Sequence, residues 1–445
     1  MAGVNTQDID VILKDVYASG VVEGVNNMNK LKDLITFQKE SWTGRQVKKA
    51  IHTSRNSSVG FSGEDSAFAE AGRQGYVTLD VTQRKLTARV RFTMESIKDT
   101  MSNRGAFIST QTAEMNKLVD DIHRVEERTL NSDGRGVLAR IDDSTPNQTL
   151  TLDDPGGVRN DNFGNRFFGE AGIYVAAVDP ATGLLRGGDT AANTVRRVDA
   201  IPITTDNNSI RLDSAPPSAW ADNDWLVRAA NDEVTSLVDT EFEQRWWGLM
   251  ALVDDGTYRA NYFGQTRTDI DACTSYVRAA TGTLSDDVLQ QTVDIIDQKM
   301  GGMVDVLLCH HDVRRTLTAI ADTDRRYMGQ DLRNPDPGTN AAKNPGMGLT
   351  WGGIEVRAIR DFPQNVIMML DRNQAGLQEF ASVPGEWDDT DGQILVRSGQ
   401  GKQARQAYEA WWYCRKQFFM EKPAVCARLD GITTSSVTVQ RPAGR

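Results

Sequence analysis

Cysteine and histidine are both scarce in this chain of 445 residues, with four of each. The cysteines stand at Cys273, Cys309, Cys414 and Cys426, and no two of them form a CxxC pair. This wide spacing is neither that of a dense disulfide framework nor that of a cysteine-based zinc site. We therefore expect four buried free thiols.

Long apolar runs are also missing. No stretch approaches the length that a membrane-spanning helix needs. The amino end reads MAGVNTQDID, which lacks the basic start and apolar core of a secretory signal. We expect a protein that does not associate with membranes and that folds in the cytosol of the cell that makes it.

Basic residues are outnumbered, with 50 lysines and arginines against 61 aspartates and glutamates, so the net charge is −11. Affinity for nucleic-acid phosphates depends on lysine and arginine, so this chain is a poor general binder of DNA. Such a protein can still enclose DNA without binding it tightly.

The chain length of 445 residues is enough for two or three sizeable hydrophobic cores.

Residues 44–93 alternate between apolar and polar positions, which predicts half-buried strands. Val47 and Ile51 belong to a first strand, and Val77, Leu79 and Val81 to a second. The alternation changes phase near residues 83–85, which indicates a bulge or bend. With the glycine- and serine-rich stretch Arg55–Gly75 between the strands, the pattern predicts a long two-stranded ribbon. An isolated ribbon is marginal in water, so we expect a neighbouring molecule to support it.

The remaining chain mixes helices and strands. A helical repeat predicts a long helix over 104–132, which the breaker cluster Asn131-Ser132-Asp133-Gly134 ends. Residues 145–235 read as a small β-rich module. In 271–380 we expect a helix capped by Thr283, a buried strand over 304–309 and a helix capped by Asp312. The fold class predicted is α+β.

Positive charge is concentrated in the ribbon. Residues 45–91 carry nine basic and four acidic side chains, a net charge of +5, whereas the rest of the chain carries 41 and 57, a net charge of −16. One interpretation is a solvated ribbon. The interpretation we favour is a ribbon that lies on an acidic neighbour. The candidate contact residues are Arg45, Lys48, Lys49, Arg55, Arg73, Arg84, Lys85, Arg89 and Arg91.

Four segments could carry chemistry, but each has a structural interpretation that we favour. Cys309-His310-His311-Asp312 could bind a metal. Adjacent residues on a strand point to opposite faces, however, so we interpret this segment as the end of a strand followed by the start of a helix. Gly134-Arg135-Gly136 follows a helix and reads as a turn, not a phosphate loop. The acidic loop 386–392 lacks the spacing of a calcium loop. Trp411-Trp412-Tyr413 is typical of a core or an interface. We expect no enzyme activity, no metal and no cofactor.

The order of these parts resembles that of tailed-bacteriophage major capsid proteins with the Hong Kong 97-type fold. The residues that carry the resemblance are Glu127–Gly136 after the long helix, Gly353–Val356 followed by Asp361-Phe362-Pro363, and Val366–Asp371 followed by Glu386-Trp387 and Gly392–Leu395. The resemblance implies an amino-terminal arm (1–40), an extended loop (41–93), a peripheral domain with the spine helix (94–144), a β-rich insertion (145–235), a return to the peripheral domain (236–270), an axial domain (271–380), and closing peripheral strands with a tail (381–445).

The resemblance also implies function and partners. It implies a virion protein, assembled in the host cytoplasm as hexamers and pentamers into an icosahedral head around double-stranded DNA. Some relatives carry a long scaffold-like segment before the ribbon; only residues 1–40 precede it here, so we expect a separate scaffolding protein. A portal protein at one vertex and a decoration protein are further expected partners. Some relatives cross-link through an extended-loop lysine, but Lys48, Lys49 and Lys85 match no such position, so no cross-link is expected.

Two alternatives stay open. The same fold class builds encapsulin-like shells that hold enzymes, although those chains are usually shorter and lack the insertion. A β-rich hydrolase or carbohydrate-binding protein is a more distant alternative, because no convincing nucleophile–base pair or paired carboxylates occur. Images of the particle distinguish all three classes.

Overall fold

The structure is a computed structural model. It describes residues 31, 38–42, 44, 46–64, 67, 70–95, 110–143, 145–159, 161, 163–169, 171–187, 194–201, 208–232, 234, 236–327, 349–388, 396–397 and 407–434. Most of the predicted amino-terminal arm, the start of the predicted long helix, Arg45 and most of the acidic loop 386–392 lie outside these residues.

Helices are few and strands are many, so the fold is mixed α+β, as predicted. The helices are α1 (Thr110–Leu130), α2 (Leu249–Leu252), α3 (Asp286–Met300) and α4 (His311–Tyr327). The strands are β1 (Gln38–Ser41), β2 (Gln46–Ser54), β3 (Gly75–Thr82), β4 (Arg84–Thr93), β5 (Val137–Ile141), β6 (Thr149–Asp153), β7 (Tyr174–Val178), β8 (Val195–Ala200), β9 (Ser209–Leu212), β10 (Trp225–Ala229), β11 (Asn261–Tyr262), β12 (Gln265–Thr266), β13 (Tyr276–Arg278), β14 (Val306–Cys309), β15 (Leu349–Trp351), β16 (Ile354–Ala358), β17 (Ile367–Leu370), β18 (Leu377–Trp387), β19 (Val396–Arg397), β20 (Ala407–Met420) and β21 (Ala427–Leu429).

The chain divides into two compact units. The smaller unit contains residues Met1–Met28, Thr87–Arg124 and Trp387–Trp412, and the larger unit contains the rest. Within the smaller unit, β19 and β20 pair antiparallel, with Val396 opposite Glu409. Arg89 and Arg91 on β4 both reach Glu409, at 2.9 and 3.7 Å, and this carboxylate is buried.

In the larger unit, β2 and β3 form the predicted antiparallel ribbon. Pairing runs from Gln46 opposite Thr82 to Ser54 opposite Gly75, with a register shift between His52 and Ser54. The predicted change of phase is a break at Gln83, where β3 ends and β4 begins. We call residues 46–51 and 77–82 the base of the ribbon, and residues 52–76 its tip.

The predicted β-rich module is a closed six-stranded barrel, in the order β10-β5-β6-β9-β8-β7. Its first strand begins at Val137, before the predicted boundary at residue 145, because the turn after α1 leads directly into the barrel. An apolar cluster including Leu152, Phe168 and Leu226 fills the barrel. Buried Arg166 ties the barrel to the sheet region, since it contacts Asp161 at 2.8 Å and donates to the carbonyl oxygen of Phe362 at 2.7 Å.

A six-stranded mixed sheet, in the order β13-β21-β17-β14-β16-β15, forms the other large core together with α3 and α4. Two predicted caps are wrong. Ser285, not Thr283, caps α3, and its hydroxyl accepts from the backbone N–H of Val288 at 3.4 Å. Asp312 lies in the first turn of α4, and its backbone N–H donates to Nδ1 of His310 at 3.2 Å.

The carboxyl-terminal segment returns to this sheet as β21, between β13 and β17, instead of staying with the closing strands. Arg428 on β21 is fully buried and pairs with Asp430 and Asp254, each at 3.0 Å. It also donates to the carbonyl oxygens of Met250 and Val253. These contacts fix β21 to the α2 region, a link that local sequence patterns do not show.

In the part of the chain that the structure describes, no helix has the length and apolar character needed to span a membrane.

Candidate functional site

The base of the ribbon has two faces, because residues opposite each other on antiparallel strands point to the same side. One face carries Val47, Lys49 and Ile51 on β2, opposite Val81, Leu79 and Val77 on β3, and it is the buried face. The other face carries Gln46, Lys48, Ala50 and His52 opposite Thr82, Asp80, Thr78 and Tyr76. The first face is apolar except for Lys49.

The base rests on its own chain, which corrects the expectation that only a neighbouring molecule supports the ribbon. Leu79 and Val81 are fully buried. The backbone N–H of Asp80 donates to the carbonyl oxygen of Phe263 at 2.9 Å, and Gln265 donates to the carbonyl oxygen of Thr78 at 3.1 Å. Sequence alternation revealed a half-buried strand but could not show that the β11–β12 turn covers it.

That turn is itself held by an aromatic cluster. The ring of Phe263 stacks on Trp247 with centroids 4.3 Å apart, and it contacts Phe419 at 5.3 Å. Phe419 in turn contacts Phe380, at 5.7 Å. The ribbon base therefore lies on a packed aromatic support, which favours a defined direction of the ribbon relative to this support.

The two lysines of β2 differ in their surroundings. Lys48 is exposed and lies 3.6 Å from its cross-strand partner Asp80. Lys49 is half-buried, and its Nζ donates to Oε1 of Glu421 at 2.8 Å. Both predicted contact residues thus have acidic partners within the same chain.

Some of the basic residues of β4 also lie close to acidic side chains of the same chain. Arg84 is half-buried, and burial lowers the pKa of its guanidinium, although nearby Glu243 opposes this shift. Arg89 and Arg91 share Glu409, as described above. Lys85 is exposed. The structure therefore brings most of these residues to acids of their own chain and does not gather them into one basic surface.

The tip of the ribbon, unlike its base, is mostly exposed to solvent. Arg55 and Arg73 are exposed there, and neither forms an ion pair among the described residues. Three large apolar side chains are exposed beside them: Val59 at 87%, Phe61 completely and Tyr76 at 66%. These exposed apolar side chains make the tip a candidate interaction surface. Sequence patterns do not single out these residues; the available signal was the occurrence of phenylalanine, at Phe61 and Phe68, in a glycine- and serine-rich loop.

The Cys309–Asp312 segment is a strand end followed by a helix start, as predicted. Burial raises the pKa of the Cys309 thiol to about 12, and burial together with neighbouring His310 lowers the pKa of His311. Burial also raises the pKa values of Cys273 and Cys414 to about 11 and that of Cys426 to about 12. Within the described ranges, no group of three or more histidine, cysteine, aspartate or glutamate side chains is placed to hold a metal ion.

The turn predicted at Gly134-Arg135-Gly136 is confirmed. Both glycines have positive φ, of 73° and 88°. A Cβ at Gly136 would stand 2.1 Å from the carbonyl oxygen of Glu241, so only glycine fits there. Trp412 is buried in β20 and Trp411 and Tyr413 are half-buried, consistent with a core or interface role.

No protein-family model matches this chain, and no curated protein resembles it significantly in sequence. Among solved structures it is similar to the cyanophage A-1(L) capsid asymmetric unit, with a TM-score of 0.53 and 9% identity over 96% of this chain and 99% of that one. It is also similar to the capsid of a native GTA particle (TM-score 0.49, 11% identity, 95% and 96% covered) and to Microbacterium phage Oxtober96 (0.49, 10%, 97% and 100%). At such identities the likeness concerns the fold, and this fold is that of a phage capsid protein.

Proposed function

We propose that this chain is the major capsid protein of a tailed bacteriophage, a structural subunit that assembles as hexamers and pentamers into an icosahedral head around double-stranded DNA. The observation that carries the proposal is the extent of the fold likeness, which covers 96% of this chain and 99% of the cyanophage capsid chain. A fold likeness that extends over nearly the whole chain supports a structural role for the chain as a whole.

The Hong Kong 97-type parts are assigned as follows under this proposal. The β2–β3 ribbon is the extended loop, and α1 is the spine helix. The barrel from Val137 to Ala229 is the β-rich insertion, and the six-stranded sheet with α3 and α4 is the axial domain. Strands β18 and β20 belong to the peripheral domain.

The tip of the ribbon docks on a second copy of this chain. Its exposed apolar side chains gain burial there, and burying a side chain of this size stabilises an interface by about 1.5–3 kcal/mol. Arg55 and Arg73 lie beside these residues, but the tip also contains Glu64, Asp65 and Glu70, so its own net charge is −1 and its docking rests on apolar burial. The positive charge of residues 45–91 is concentrated in the ribbon base and β4, where it accelerates encounter with an acidic neighbour.

The remaining partners follow from this role. We expect a separate scaffolding protein, a portal protein at one vertex and a decoration protein. The DNA is enclosed without sequence-specific binding, in keeping with the acidic net charge of −11. The site of action is the virion, with assembly in the host cytoplasm.

The test is assembly of the purified full chain with its scaffolding partner, followed by sedimentation and electron microscopy. Closed shells containing rings of five and six copies support the proposal. Shells filled with protein cargo would favour the encapsulin-like alternative. A chain that remains monomeric, even with the scaffolding partner present, would contradict both.

A further inference from the structure

Lys49 occupies an unusual position for a lysine. It points to the apolar face of the ribbon base, between Val47 and Ile51 and opposite fully buried Leu79. A charged group on such a face destabilises the packing of the ribbon base on its own chain, unless a partner compensates the hydration that the charge loses. Glu421, which directly follows β20, is that partner, with a distance of 2.8 Å between Nζ and Oε1.

Glu421 is also positioned by contacts other than Lys49. Its Oε1 also accepts a hydrogen bond from Nε2 of the buried Gln378, at 2.9 Å, and its backbone N–H donates to the carbonyl oxygen of Gly376 at 3.2 Å. Gly376 has φ of +62°, and a Cβ there would stand 2.9 Å from the Glu421 side chain. The glycine therefore leaves the space in which this carboxylate lies.

The two strands of the ribbon are attached differently. Strand β3 is tied along its outer edge by the hydrogen bonds of Asp80 and Thr78 with the β11–β12 turn. Strand β2 is tied through the side chain of Lys49. Attachment at both strands therefore restrains rotation of the ribbon about its long axis more than the burial of Leu79 and Val81 and the hydrogen bonds of β3 do alone.

We propose that Lys49 and Glu421 form a latch within each copy that fixes the direction of the ribbon, so that Lys49 is a positioning residue and not a contact to the neighbour. This rests on the proposed function, in which the tip docks on a second copy. A ribbon already held in its docking direction loses less conformational freedom on association. Because the two side chains are 34% and 39% exposed, the latch also responds to salt.

Hydrogen exchange on the unassembled subunit tests the latch without requiring assembly. The amide of Asp80 is a suitable probe, because its N–H donates to Phe263 and therefore reports on contact between the ribbon and its support. Lys49→Met keeps the apolar stem but removes the charge, and it should accelerate exchange at this amide about two- to five-fold. Lys85→Met is the matched control, because Lys85 is an exposed lysine on β4 that contacts neither Glu421 nor the probe residue in the described contacts, and it should leave the rate unchanged. Equal rates in all three proteins would overturn the latch, whether or not shells form.

Charge reversal then distinguishes a contact within one copy from a contact between copies. Lys49→Glu and Glu421→Lys should each slow assembly two- to five-fold, as followed by light scattering, and the double variant should recover the wild-type rate. A mixture of the two single variants should stay slow, because each copy still holds two like charges. Recovery in the mixture, or a double variant as slow as the singles, would show that Lys49 acts on a neighbour or not through Glu421.

Discussion

Phe61 offers the sharpest test of how the ribbon tip acts. The side chain is completely exposed in the isolated chain and has no described contact to lose, so Phe61→Ala should leave the thermal unfolding of the subunit unchanged. If the tip docks on a second copy, the same substitution removes about 1.5–3 kcal/mol from each contact. Since every 1.4 kcal/mol is a factor of ten in an equilibrium constant, the effect on association is roughly 10- to 150-fold.

The assay is the subunit concentration at which assembly begins, measured by light scattering with the scaffolding partner present. Phe61→Ala should raise this concentration by the stated factor, while calorimetry of the subunit shows an unaltered transition. Leu184→Ala is the matched control, because Leu184 is also exposed, at 62%, but lies in the connection that follows β7 of the barrel and not on the ribbon. An unchanged threshold for Phe61→Ala, or an equal rise for Leu184→Ala, would refute the docking of the tip.

Four further outcomes are expected. Replacing Arg55–Gly75 by a short turn should leave the subunit folded, since changes far from a core cost little, but should impair shell formation in electron micrographs. Lys48→Glu combined with Lys85→Glu, which leaves the Lys49–Glu421 pair intact, should slow assembly, and moderate sodium chloride should slow the wild type; unchanged light-scattering kinetics in both would remove the electrostatic contribution between copies. Arg428→Met should lower the free energy of unfolding by about 3–5 kcal/mol in a denaturant titration, because two buried carboxylates lose their partner. The four cysteines should be inert to a thiol reagent at pH 8 in the folded chain and react after unfolding, because burial raises their pKa values to about 11 or 12.

Local patterns predicted those features that local physics determines. The ribbon strands followed from alternation, and the end of α1 followed from the breaker cluster Asn131–Gly134, whose backbone turns through glycines with positive φ. The strand before α4 followed from its continuous apolar run. In each case the information lies within a few residues of the feature.

Features that depend on distant residues were missed or misplaced. Thr283 and Ser285 are both suitable caps by composition, and only the path of the chain into α3 selects Ser285. Asp312 was predicted as a cap, but the buried Nδ1 of His310 takes that role. Barrel closure and the return of β21 require strand pairings between residues far apart in sequence, which no local pattern encodes.

Local sequence patterns also failed to predict the contacts of the candidate site residues. The concentration of basic residues in the ribbon was visible in the sequence, but their partners were not. Lys49 meets Glu421 and Arg89 meets Glu409, each more than 300 residues away. Conversely, Phe61 and Val59 lie in a stretch that composition marks as a plain loop, and only their exposure in the structure makes them a candidate interaction surface.

Electron microscopy of the full chain, produced together with its scaffolding partner, tests directly whether this chain builds a shell. We expect closed icosahedral particles in which rings of five and six copies are joined through the ribbon tips. Discrete monomers or small oligomers under conditions in which both proteins are folded would contradict it.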